Sequence, residues 1–173
     1  GQAMQDDLAD GARWAAAQGH ADPARVAIAG GNYGGYAALM GLARQSDVFA
    51  CAVNWLGPTD LDLIYGAQWS DQSDVFKRYG LPKVLGDRRA DADMLRKHSP
   101  IHLAQSITKP VLMAYGKLDL HLSIEHGERM RDALEPHNKQ VEWVRYDDEG
   151  HGWYRQKTKK DFWTRVERFL AQH

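Results

Sequence analysis

A chain of 173 residues, 43% hydrophobic and 26% charged, has the composition of a globular protein able to bury about 70% of the surface that its unfolded form exposes. Its net charge of -1 lacks the basic excess that nucleic-acid binding calls for, and no apolar run approaches the ~20 residues of a membrane helix, so neither nucleic acid nor a membrane is expected as a partner. The single cysteine, Cys51 in "FACAVNW", rules out an intrachain disulfide and reads as a small buried filler.

In chain order, "AMQDDLADGARWAAAQG" carries Met4, Leu8, Ala12 and Ala15 at helical spacing, which predicts a helix with those residues inward and a stop at Gly19. Asp22-Pro23 then turns the chain into a short apolar strand, Val26 to Ala29, that ends in Gly30-Gly31. Tyr33 to Arg44 reads as a helix with Tyr36, Leu39, Met40 and Ala43 along one side. "DVFACAVNW" is a second unbroken apolar strand, of the kind that fits a parallel sheet covered on both faces. A long polar and aromatic stretch, Thr59 to His98, precedes a third strand, "PVLMAY". A helix from Ser123 to Leu134, a fourth strand "KQVEWVRY", the loop "DDEGHGW" and a closing helix near Lys159 to Leu170 complete the chain. Strand and helix alternate throughout, so the expected class is α/β, with a parallel sheet, helices on both faces and right-handed crossovers.

Three loops follow the carboxyl ends of predicted strands, where open α/β sheets gather ligands and catalytic groups. The first holds Asn32 in "GGNYGG", the second Asp119 in "YGKLD" and the third His151 in "EGHGW". A glycine-dense corner between strand and helix is the sequence form of a nucleophile elbow, in which Gly30 and Gly34 permit the sharp turn and Gly35 lets helix and strand approach. The order of nucleophile position, acid and histidine is that of an α/β-hydrolase triad. In that arrangement His151 is the general base toward residue 32, Asp119 fixes the imidazole tautomer, and the Tyr33 amide at the helix start supplies an oxyanion donor. Singly each feature has a bland reading: a glycine turn, a helix cap near Ser123, one of eight histidines. Their joint placement at three strand ends favours a site. The pairs His98/His102 and His121/His126 lack a companion set at metal-ligand spacing and read as surface or packing residues, so neither a metal nor another cofactor is expected.

"DPARVAIAGGNYGGYAAL", "SPIHLAQSITKPVLMAYGKLD" and "EGHGW" resemble the catalytic domain of the prolyl oligopeptidase family of serine peptidases, especially its dipeptidyl-peptidase and acylaminoacyl-peptidase branches. The resemblance spans nearly the whole chain. It implies an α/β-hydrolase fold and hydrolysis of short peptides through an acyl-enzyme, with the triad positions carried to Asn32, Asp119 and His151 and an oxyanion donor on Tyr33. Within Thr59 to Tyr79 it implies that Tyr65 and Trp69 help to line the pocket for the residue before the scissile bond.

The chain departs from this pattern in two ways. The family's serine is Asn32 here, and an amide nitrogen delocalised into its carbonyl cannot attack a peptide; loss of the nucleophile costs roughly 10⁶ in turnover in a worked serine-protease case. Asparagine tolerates the positive φ of an elbow and can hydrogen-bond to His151, so the expectation is a preserved fold with its chemistry removed. The alternative is a non-catalytic peptide-binding module on the same fold, and a third reading has Asn32 deamidating to a carboxylate nucleophile. The second departure is extent: relative to the family, the expectation is that residues 1–173 form a single partial domain without the propeller, the N-terminal half of the hydrolase sheet and the loop with the second oxyanion donor. The elbow strand then becomes a sheet edge, which leads to an expectation of self-association or of association with the missing N-terminal fragment.

Overall fold

The computed structural model describes residues 2–66 and 73–173. Four parallel strands, β1 (Ala27–Gly31), β2 (Cys51–Trp55), β3 (Val111–Gly116) and β4 (Val141–Tyr146), lie side by side in sequence order. The elbow strand β1 is an edge among the described residues, as expected. Helices α1 (Gln2–Ala17), α2 (Tyr33–Arg44), α6 (Glu125–Leu134) and α7 (Gln156–Gln172) are the long ones. Short helices α3 (Leu61–Gly66), α4 (Leu81–Leu85) and α5 (Ala92–Lys97) occupy the stretch between β2 and β3, together with a tight helical turn at Pro100–Ser106.

The unbroken apolar strands are explained by cover on both faces. Ala52, Val111, Met113 and Tyr115 pack against Ala38, Leu39 and Leu42 of α2 and Met130 and Leu134 of α6. The alternate residues Cys51, Val53, Leu112, Ala114 and Val144 pack against Phe162, Val166 and Phe169 of α7 on the other side. Cys51 is thus the buried filler that its context suggests. Helix α2 is buried along its whole central length, from Gly35 to Leu42, because it lies between the sheet and further helices.

Helix α1 corrects one expectation. Met4 and Leu8 are 47% and 43% exposed, whereas Gln5 and Ala9 are the buried residues. The helix touches α2 through Met4, whose Sδ accepts the Tyr33 hydroxyl, and Gln2, which accepts the Arg44 guanidinium, and Ala12 alone of the expected inward set packs against the sheet core. Among the described residues, no helix is long and apolar enough to cross a membrane.

Candidate active site

The ends of the four strands are laced together by backbone hydrogen bonds that extend past the strands themselves. The Asn32 amide donates to the Trp55 carbonyl at 3.1 Å, Leu56 to Ala114 at 3.0 Å, Lys117 to Tyr146 at 2.9 Å and Leu118 to Glu149 at 2.9 Å. These bonds put the loops after β1, β3 and β4 at one end of the sheet and fix their mutual height. The three residues predicted to meet do so.

Asn32 has φ 51 and ψ -119, a backbone conformation that most side chains avoid and that projects this one out of the corner. The turn is held closed by the Gly35 and Tyr36 amides, which donate to the Asn32 carbonyl at 3.0 and 3.1 Å. Gly30 is required because a Cβ there would stand 2.5 Å from the Gly34 carbonyl carbon, and Gly35 because its Cβ would fall 2.2 Å from Asn54 Oδ1. Gly34 plays a different part from the expected one. A Cβ on Gly34 would meet nothing within 4 Å, so the steric demand of the corner lies on Gly30, Gly31 and Gly35 and not on Gly34.

His151 Nδ1 lies 2.7 Å from Asp119 Oδ2, and His151 Nε2 lies 3.2 Å from Asn32 Nδ2. A carboxylate only accepts, so Nδ1 carries the ring proton and Nε2 presents a lone pair to the Asn32 amide. The Asp119 side chain has no solvent exposure, while the His151 side chain is 30% exposed. Asp119 Oδ1 accepts the His121 and Leu122 amides, both at 2.8 Å. The aspartate therefore does cap a local turn, and its second oxygen is left to orient the imidazole. His151 itself sits at the tip of a tight turn in which the Gly152 amide donates to the Gly150 carbonyl at 3.0 Å and Gly152 has φ 121.

The amide of Tyr33 is at the first position of α2, where a helix supplies no internal acceptor, so it is free for an oxyanion. The Tyr33 side chain is exposed, and its hydroxyl donates to Met4 Sδ at 3.3 Å. Tyr65 is partly buried beside Tyr36, Met40, Leu61 and Leu95, with its hydroxyl donating to the Gly86 carbonyl. Trp69 lies outside the described residues.

Sequence reasoning missed three supports of the site. The His121 ring lies tilted against His151, 4.4 Å between centroids at 54°, so this histidine packs on the imidazole of the site. Glu149, 1% exposed, accepts the Tyr154 and Arg155 amides at 2.9 and 3.0 Å and so ties the His151 loop to the start of α7. Burial raises the Glu149 pKa, but hydrogen bonds from Tyr154, Thr158 and Arg155 outweigh it and hold the carboxyl below its ordinary value. Beneath the elbow, buried Asn54 accepts the Gly57 amide at 3.0 Å and donates to the Tyr115 hydroxyl at 3.0 Å, which in turn donates to the Gly57 carbonyl at 2.6 Å.

Known proteins share this framework. Dipeptidyl aminopeptidase BIII of Pseudoxanthomonas mexicana is 38% identical over 171 residues, covering 98% of this chain and 24% of that protein. The crystal structure of a puromycin hydrolase superposes with a TM-score of 0.87 at 27% identity, over 97% of this chain and 25% of that one. The acylaminoacyl peptidase of Pyrococcus horikoshii, at 24% identity and a TM-score of 0.76 over 93% of this chain and 26% of its own, shares the fold. The chain thus spans about a quarter of the length of the relatives it matches. The parallel sheet, its two helical layers and these neighbours make the fold that of an α/β-hydrolase. With the model of the prolyl oligopeptidase family matching residues 1–173, from first to last, the chain belongs to that family of serine peptidases.

Proposed function

We propose that this chain is the triad-bearing portion of a serine-type peptidase domain that, in its parent form, cleaves short peptides through an acyl-enzyme, and that Asn32 leaves it catalytically impaired. The observation that carries the reading is the hydrogen-bonded series Asn32, His151, Asp119 at 3.2 and 2.7 Å on an elbow with φ 51. A hydroxyl at position 32 would face the imidazole lone pair and lose its proton to it as it attacked a carbonyl. The carboxamide there accepts the same place in the hydrogen-bond series and offers no nucleophile. The Tyr33 amide would receive the developing oxyanion, and no residue is assigned to a metal or cofactor.

The test is a fluorophosphonate probe applied to the unmodified chain and to Asn32→Ser, each alone and joined to the upstream half of a relative's catalytic domain. Labelling of Asn32→Ser with none of the unmodified chain is expected. Absence of labelling in both formats of the serine variant would overturn the assignment.

A second reading, peptide binding without turnover, is favoured by the Asn32 to His151 bond itself, which keeps the cleft assembled in the absence of a nucleophile. Calorimetric binding of short peptides that is lost in His151→Ala would support it. Both readings include the outer edge of β1 as a pairing surface, for a second copy of this chain or for an N-terminal fragment that continues the sheet.

A further inference from the structure

We propose that Asn32 is a self-modification site: the His151–Asp119 pair hydrolyses the Asn32 carboxamide to a carboxylate with release of ammonia. This inference depends on the geometry of the three side chains and not on the peptidase reading.

Three observations meet at this residue. The scissile Cγ–Nδ2 bond ends on an atom 3.2 Å from His151 Nε2, the ring nitrogen that carries the lone pair. The imidazole is held in that tautomer by a carboxylate whose side chain has no solvent exposure, while the ring itself is 30% exposed and so open to water. Asn32 is likewise exposed, and the Tyr33 amide beside it is unused by the helix. A general base and water access therefore meet at an amide whose backbone the elbow fixes through the Trp55 carbonyl and the Gly35 and Tyr36 amides.

The chemistry balances with water as the only co-reactant. A water that displaces the Asn32 Nδ2–H from Nε2 gives up a proton to that nitrogen as its oxygen bonds to Cγ, and the negative charge moves onto Oδ1. The imidazolium, stabilised by Asp119, passes that proton to Nδ2. The Cγ–Nδ2 bond breaks, ammonia departs and takes up the proton of the new acid, and an aspartate remains at position 32. No electrons are exchanged with any partner. The alternative route to deamidation, through a cyclic imide, opens to a mixture of aspartate and isoaspartate, and the isoaspartate carries an extra methylene in the main chain.

The experiment is peptide mass spectrometry of the purified chain after timed incubation at neutral pH, with aspartate and isoaspartate resolved chromatographically. A gain of about one dalton confined to position 32 and present as aspartate is expected. It should form at least about tenfold faster in the folded chain than in the same chain in urea, given the ~10²–10⁴-fold that a positioned acid–base group supplies. His151→Gln, with folding checked by circular dichroism, should slow it at least about tenfold; Asp119→Asn serves as the second variant if the first does not fold. An unchanged mass at position 32, a mixture containing isoaspartate, equal or faster conversion in urea, or equal rates in the folded variants would each overturn the proposal. The result is independent of fluorophosphonate labelling of Asn32→Ser, so this inference and the peptidase reading fail separately.

Discussion

Thr59 and His126, 67 residues apart, hold each other by two hydrogen bonds: the Thr59 amide donates to His126 Nδ1 at 3.2 Å and the Thr59 hydroxyl donates to the His126 carbonyl at 2.7 Å. The pair fastens the segment after β2 to α6 in the interior, where both residues are fully buried. An imidazole that must accept through Nδ1 is neutral on that nitrogen, and protonation would break the bond.

The stability of the chain should therefore fall in mild acid. Burial, with a smaller contribution from Arg129, pushes His126 down to about 3 from its ordinary 6.5. Above the ordinary value the folded and unfolded chains both hold this ring neutral. As pH falls below it, the unfolded chain takes up a proton that the folded chain refuses, and stability drops by about 1.4 kcal/mol per pH unit toward the folded value. Urea unfolding at several pH values between 5 and 6.5 should show this slope reduced by one proton's worth in His126→Asn, which can accept but cannot titrate. An identical slope in the variant would show that His126 is not the acid-sensitive group.

Glu149→Ala should destabilise the chain by roughly 2–3 kcal/mol, because the buried carboxylate is replaced by nothing that can accept the Tyr154 and Arg155 amides. Thermal unfolding measures the loss. His151 is two residues away, so any peptide binding or labelling at the cleft should weaken more than in a surface control such as Glu167→Ala. Unchanged unfolding would mean that these two amides find water instead.

A side chain at Gly116 should separate the triad. Its Cβ would lie 2.4 Å from the Gly150 carbonyl oxygen and 2.6 Å from that of Glu149, both backbone atoms with little freedom to yield. Gly116→Ala is expected to lose about 1–3 kcal/mol of stability. In its NMR spectrum, the His151 ring proton on Nδ1 should lose the downfield shift that a short bond to Asp119 gives it. Retention of that signal at native stability would show that the loop absorbs the displacement.

Much of this site is legible in the sequence because its requirements are local. Val26 to Gly35 runs from apolar to glycine-rich, which turns an edge strand into a buried helix within two residues, and Asp119 follows the unbroken apolar run of β3, whereas His151 follows a β4 whose apolar residues alternate with Glu142 and Arg145. What escaped depends on partners distant in sequence. Glu149 and His126 look like ordinary polar residues until folding supplies two amides to one and a threonine amide to the other. Helices α3, α4 and α5 span five or six residues each, too short for a 3.6-residue period to register. The buried face of α1 is carried by Gln5 and Ala9, so the apolar spacing of Met4 and Leu8 does not mark it.

The two edges of the sheet differ in a way that predicts association at one of them. Strand β4 carries Glu142, bonded to Arg165 at 3.0 Å and Arg168 at 2.7 Å, and Arg145, bonded to Glu128 at 3.2 Å and Asp147 at 2.7 Å. Charges of this kind discourage pairing with a further strand. Strand β1, with the sequence AIAGG, has no charged or bulky polar residue, and Ala27 and Ala29 are exposed. Its outer backbone groups have no partner strand among the described residues. Light scattering of the purified chain at micromolar concentration should thus report a mass above that of one chain. Ala29→Lys, which sets a charge beside the open edge, should shift the population toward monomer without lowering the unfolding midpoint by more than ~0.5 kcal/mol equivalent, the usual limit for a surface change. A monodisperse monomer of the unmodified chain at that concentration would show that the β1 edge is satisfied by water alone.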